Sequence, residues 1–151
     1  PSGAIAGLDA LKAVKDELES VVLVTTKNPN SFKGAPFFDN SNINPDKISE
    51  PTVLFDGKAK EAVSLFPKNV NVAALLSLVG LGSENTSVRV VADPNTNKNT
   101  HQINANGKFG NLSFTIENIP DSTNPKTSRL ATLSAIELLR QICTKEVQIG
   151  T

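Results

Sequence analysis

With 151 residues the chain has the length of one ordinary domain, enough to build a single core. Lys plus Arg and Asp plus Glu balance at 15 each, so no excess field draws it to nucleic acid or to an anionic membrane. The only cysteine, Cys143, excludes an internal disulfide framework and a Cys-rich zinc module, and leads us to expect a reducing, cytoplasmic setting.

The chain opens on Pro1, contains no methionine and runs straight into a patterned segment, so we expect a piece of something longer. The N-terminus lacks the basic-then-apolar order of a signal peptide. Ser2 and Gly3 suit a helix start before Ala4 to Leu18, where Ile5, Leu8, Leu11, Ala13 and Leu18 recur near helical spacing. Val21 to Thr26 is β-branched and almost continuously apolar, as expected of a strand covered on both faces. Asn28 to Pro51 reads as a long polar loop pinned at Phe37 and Phe38.

Thr52 to Phe55 follows as a short strand, and Gly57 to Phe66 as an amphipathic helix stopped by Pro67. Asn69 or Asn71 is placed to cap a helix over Val72 to Val79, which is apolar on all sides and so expected to be buried. The longest apolar run, Val72 to Gly82, is far short of the roughly 20 residues that cross a bilayer. Ser87 to Ala92 and Thr100 to Ala105 read as strands. Asn106-Gly107 predicts a tight hairpin turn into Lys108 to Asn118, where Leu112, Phe114 and Ile116 alternate with polar residues. After a turn-rich link from Asp121 to Pro125, Ser128 to Cys143 reads as a helix striped by Leu130, Leu133, Ile136, Leu139 and Ile142. This order predicts an α+β fold, a mixed and mainly antiparallel sheet with helices packed on one face, and one domain over residues 1–151.

Candidate chemistry is sparse. His101, the lone histidine, shares a strand face with Ile103 and Ala105; it suits either a histidine at the edge of the core or a general acid or base working near neutral pH. Asn69, Asn71 and Asn99 suit either helix caps and turns or amide recognition of a carboxamide or carboxylate. Backbone N–H groups of Ser2-Gly3-Ala4 at a helix start could face an anion. The absences say more: there is no Gly-rich dinucleotide fingerprint, no P-loop, no paired metal-ligand motif and no Gly-x-Ser-x-Gly elbow. A site of this kind must be completed from elsewhere, and no metal is expected in it.

Four segments, taken together, resemble the L-aspartate dehydrogenase family: Pro1-Ser2-Gly3-Ala4-Ile5-Ala6-Gly7-Leu8-Asp9, Phe66 to Ala74, Val90 to Pro94 followed by Asn99-Thr100-His101, and Asn124-Pro125-Lys126-Thr127-Ser128. They occur in the family's order and cover nearly the whole chain. The resemblance implies a catalytic and dimerisation domain that follows a Rossmann domain, which would account for the missing fingerprint. It further implies NAD- or NADP-dependent oxidative deamination of L-aspartate to oxaloacetate and ammonia through iminoaspartate, an imine that also feeds nicotinamide-cofactor biosynthesis. On matching positions His101 would be the catalytic residue, Ala4 and Asn71 would contact the nicotinamide end of the cofactor, and Asn99 would adjoin the substrate. The residue that discriminates NAD from NADP would lie in the preceding domain.

A dicarboxylate needs cationic or N–H partners, for which Lys27, Arg89, Lys98, Lys126 and Arg129 are the candidates. Lys27 and Lys126 stand where the family more often has arginine, and lysine cannot reproduce a bidentate fork. The uncovered sheet face predicts a homodimer packed sheet to sheet, and the stripe of helix 128–143 is expected to dock on the nucleotide-binding domain. The alternatives are a homoserine-dehydrogenase-like or dihydrodipicolinate-reductase-like domain, and a non-catalytic dimerisation or ligand-binding module. Asn99 and His101, without a lysine motif of catalytic type, weigh against the first, and Asn71, Asn99 and His101 in the context of the family weigh against the second.

Overall fold

The computed structural model describes residues 2–122 and 127–144. Its elements are α1 (Leu8–Ala13), β1 (Leu18–Lys27), β2 (Thr52–Lys58), α2 (Ala59–Leu65), α3 (Asn71–Val79), β3 (Thr86–Ala92), β4 (Asn99–Gly107), β5 (Gly110–Asn118) and α4 (Arg129–Cys143). The strands form one five-stranded sheet in the order β2-β3-β1-β4-β5. Only β1 and β3 run parallel; the other neighbours are antiparallel, so the expected mixed, mainly antiparallel α+β fold is present.

Strand alternation decides where the core lies. In β1, Val21, Leu23, Thr25 and Lys27 are buried while Val22, Val24 and Thr26 are only half-buried, so this strand is covered on one face and not on both. Val88 and Val90 of β3 and Ile103 and Ala105 of β4 continue the covered face beneath α1, α2 and α3. The helix α3 is not buried all round: Val72, Ala73 and Leu76 face the sheet while Leu78 is 79% exposed. α4 carries no buried residue and stands apart from this layer.

The first helix is shorter than its spacing predicts. Gly3 and Gly7 hold left-handed φ of 67° and 77°, so residues 2–7 cross the sheet end as an irregular segment and the helix begins only at Leu8. Leu18 is buried as the first residue of β1, and a 3-10 turn at Lys15–Glu17 makes the junction. Helical spacing of Ile5, Leu8 and Leu11 was satisfied by burial from two kinds of backbone.

The hairpin also differs. β4 continues through Gly107, which pairs with Gly110, so the turn is Lys108-Phe109 rather than Asn106-Gly107. A Cβ on Gly107 would lie 2.0 Å from Glu17 O, so this glycine serves close approach of the 3-10 turn to the hairpin and not the turn conformation. The segment 28–51 contains three short 3-10 turns, each opened by a proline. It is pinned as expected by Phe37 and Phe38, and more deeply by the fully buried Phe32. The Phe37 and Phe66 rings stack at 5.0 Å, and Phe32 meets Phe66 edge-on at 5.8 Å.

Candidate active site

The head of α3, the irregular N-terminal segment and the ends of β1, β4 and α4 surround a cavity of about 270 Å³. Its lining includes Ser2, Gly3, Ala4, Lys27, Lys68, Asn69, Asn71, His101, Thr127 and Ser128. Of the expected site residues, His101, Asn71 and Ala4 therefore meet at one place.

His101 is 1% exposed and faces the cavity from β4. In the β1–β4 register it lies opposite Thr25, whose Oγ1 is 3.2 Å from His101 Nδ1. That contact occupies one ring nitrogen and leaves Nε2 without a protein partner among the described residues. Burial, with the nearby Lys27 ammonium adding to it, lowers the imidazole pKa to about 3, so the ring is neutral at physiological pH.

Lys27 ends β1 two residues beyond Thr25 on the same face, and its side chain lines the cavity at 4% exposure. No carboxylate lies within ion-pairing distance of it among the described residues. Burial lowers its pKa to about 8. The other cations named from sequence are elsewhere. Arg89 bonds Asp56 through Nε at 2.9 Å, Lys98 bonds Glu117 at 2.5 Å, Arg129 does not line the cavity, and Lys126 lies outside the described residues.

Ala4 is fixed through its carbonyl, which accepts a 2.7 Å hydrogen bond from Asn118 Nδ2 at the end of β5. Ser2-Gly3-Ala4 is thus a turn held against the sheet and not a helix start. Asn71 is the first residue of α3 and exposed at the cavity rim, with its carboxamide unengaged by protein among the described residues. Neither Asn69 nor Asn71 caps that helix, whose N-cap is Val70. Asn69 instead donates to Ser31 O at 2.7 Å, tying the loop after β1 to the head of α3.

Asn99 is fully buried and does not line the cavity; its Nδ2 is 3.5 Å from Oγ of Ser128, which does. Its route to the cavity is through that hydroxyl. Sequence reasoning gave no role to Thr25 or Asn118. Thr25 could be found only from the β1–β4 register, and nothing in the sequence marks Asn118. Thr127 and Ser128 belong to a motif singled out from sequence, without a role.

A mixed sheet with helices on one face and a buried histidine at the floor of a cavity lined by two lysines defines an α+β domain. Residues 9–142 match the family described as aspartate dehydrogenase, C-terminal, and the chain belongs to that family. It is 68% identical over 151 residues to the L-aspartate dehydrogenase of Nitrosopumilus maritimus, covering 100% of this chain and 56% of that protein. Identity to the L-aspartate dehydrogenase of Methanocella arvoryzae is 52% over 152 residues, again with 100% and 56% covered. The crystal structure of aspartate dehydrogenase from Thermotoga maritima superposes with a TM-score of 0.75 at 35% identity, covering 99% of this chain and 55% of that one. The chain spans about half the length of the relatives it matches.

Proposed function

We propose that this chain supplies the substrate side of an NAD- or NADP-dependent L-aspartate dehydrogenase. The reaction takes L-aspartate, water and oxidised nicotinamide cofactor to oxaloacetate, ammonium, the reduced cofactor and a proton by way of iminoaspartate. The observation that carries this reading is the sole histidine, buried in the cavity with Nδ1 engaged by Thr25 and Nε2 without a protein partner among the described residues.

Ala4 and Asn71 fit the nicotinamide end of such a cofactor: a carboxamide needs both a donor and an acceptor, and a free asparagine amide beside a fixed backbone segment offers them. The rest of a dinucleotide finds no Gly-rich cradle in the sequence. When bound, the cofactor supplies a hydride acceptor for the substrate Cα.

His101 then handles the proton. In the tautomer whose Nδ1–H faces Thr25 Oγ1, Nε2 presents its lone pair to a water attacking the imine carbon and takes that water's proton. The same imidazolium returns the proton to the amine nitrogen, and as the carbinolamine collapses the neutral ring accepts the hydroxyl proton, leaving oxaloacetate and ammonia. Asn99 acts on the substrate side through Ser128, whose hydroxyl it adjoins.

The half-buried face of β1 supports a homodimer packed sheet to sheet, and the single cysteine fits a cytoplasmic enzyme. Leu133, Ile136, Leu139 and Ile142 of α4, all exposed, suit docking on a nucleotide-binding domain. The test is aspartate-dependent reduction of NAD and NADP by the full-length protein and its His101→Ala variant. We expect turnover in the wild type and a loss of about a hundredfold or more in the variant, the scale of a missing general base; a folded, cofactor-binding wild type without turnover would refute the reading.

A further inference from the structure

The cavity is charged in one sense only. Lys27, Lys68 and the titratable His101 line it, and among the described residues no carboxylate does, in a chain whose acidic and basic residues are equal in number. Lys68 is exposed and its ammonium can be solvated. Lys27 is largely removed from solvent: it is 4% exposed, in the cavity wall, with no carboxylate in reach among the described residues. A buried ammonium without a counterion is costly unless a ligand supplies one. The neighbouring elements do not supply it. On the β3 side Asp93 gives only its backbone N–H to Lys27 O at 2.9 Å, while its carboxylate accepts from Asn95 N. From β4 comes His101, from the segment before α3 Lys68, and from the head of α4 the neutral Thr127 and Ser128.

Two helices of adequate length also begin at this cavity without side-chain caps: α3, through Asn71 and Val72, and α4, through Ser128 and Ala131. Their N-termini add partial positive charge of the same sign. We propose that Lys27 is the residue that anchors a carboxylate of the substrate beside His101. This rests on the dehydrogenase reading for the identity of the anion, a four-carbon dicarboxylate, and on the cavity for its place.

The anchor has an electrostatic consequence. Lys27 is the second cause, after burial, that depresses His101. An anion seated on the ammonium offsets that repulsion, so the imidazole becomes a better base when substrate is present.

Binding of succinate, an unreactive dicarboxylate, to the full-length protein is measured by calorimetry for wild type, Lys27→Met and Lys27→Arg, with pyrophosphate as a second probe and the aspartate KM and kcat alongside. Lys27→Met should weaken succinate about 30-fold, the scale of a lost charge-assisted hydrogen bond, with the kinetic loss mainly in KM. Lys27→Arg should recover most of it. Wild-type binding should weaken above pH about 8 as the ammonium deprotonates, a limb absent in Lys27→Met and displaced upward in Lys27→Arg. Succinate binding unchanged in Lys27→Met, no binding in any form, or Lys27-dependent binding of pyrophosphate alone would each overturn the proposal. Lys27-dependent succinate binding in a wild type that fails to oxidise aspartate would instead refute the dehydrogenase reading and leave the anion site standing.

Discussion

Thr25 and His101 face each other across the β1–β4 pair, with Thr25 Oγ1 3.2 Å from His101 Nδ1 and both side chains buried. The hydroxyl satisfies a ring nitrogen that would otherwise be buried without a partner, and it sets which nitrogen meets the cavity. Thr25→Val keeps the β-branched shape and removes only the hydroxyl. We expect kcat of the full-length protein to fall about 3- to 10-fold, the worth of one neutral hydrogen bond, with KM little changed and Thr25→Ser restoring most of the rate. Steady-state kinetics of the three proteins checks this; an unchanged kcat would mean the contact does not orient the ring.

Lys27 and His101 give stability a defined pH dependence. Both hold folded-state pKa values below their unfolded ones, about 8 against 10.5 and about 3 against 6.5. The unfolded chain therefore binds more protons in those windows, and stability rises with pH through each. At pH 7 the buried ammonium costs about 3 kcal/mol, so Lys27→Met should be more stable by about that much, an advantage that fades between pH 8 and 10.5. On the acid side His101 should cost about 2 kcal/mol by pH 5, and His101→Gln should lack that loss. Denaturant unfolding across pH reads both effects, and Lys27→Met with no gain at pH 7 would show that the ammonium already has a counterion.

The strands were legible because period-two alternation survives in Leu112, Phe114 and Ile116 and because Val21 to Thr26 is β-branched. α4 was legible from its stripe. The first helix is shorter than its spacing suggests because Ile5 and Leu18 reach the core from irregular and extended backbone, which periodicity alone does not distinguish from helix. The site was legible only in part. His101, Ala4 and Asn71 came from a resemblance, whereas the choice of Lys27 among five cations needed burial and pairing, which composition does not contain. Thr25 and Asn118 act through contacts 76 and 114 residues distant in sequence, and these exist only once the sheet is assembled.

Gly107 tests whether close approach, rather than turn geometry, is what that position requires. Its virtual Cβ meets the Glu17 carbonyl, a backbone atom whose oxygen also accepts from Lys108 N at 3.1 Å, so neither side can yield cheaply. We expect Gly107→Ala to destabilise by about 2–3 kcal/mol, whereas the turn residue Lys108→Ala should cost under about 0.5 kcal/mol. Thermal unfolding of the two variants compares them directly, and equal effects would return the glycine to a turn role.

The open face of the sheet carries the last prediction. Val24 lies between Arg89 on β3 and Gln102 on β4, and Val22 between Ser87 and Asn104, so a short valine ridge runs along the central strand with polar neighbours on either side. Three of those four neighbours are engaged within the sheet: Arg89 bonds Asp56, Asn104 accepts from Ser113 at 2.9 Å, and Ser87 accepts from Lys58 at 3.5 Å. An apolar ridge with a largely satisfied polar border is suited to a second sheet packed face to face, since the valines would be dried while most border groups keep their partners. Val24→Glu puts a carboxylate where the two ridges would meet and should convert the full-length protein from dimer to monomer at micromolar concentration, with the monomer still folded because Val24 is outside the core. Sedimentation velocity of wild type and variant decides it. A wild type that is monomeric, or a Val24→Glu variant that remains dimeric, would mean that any association uses another surface.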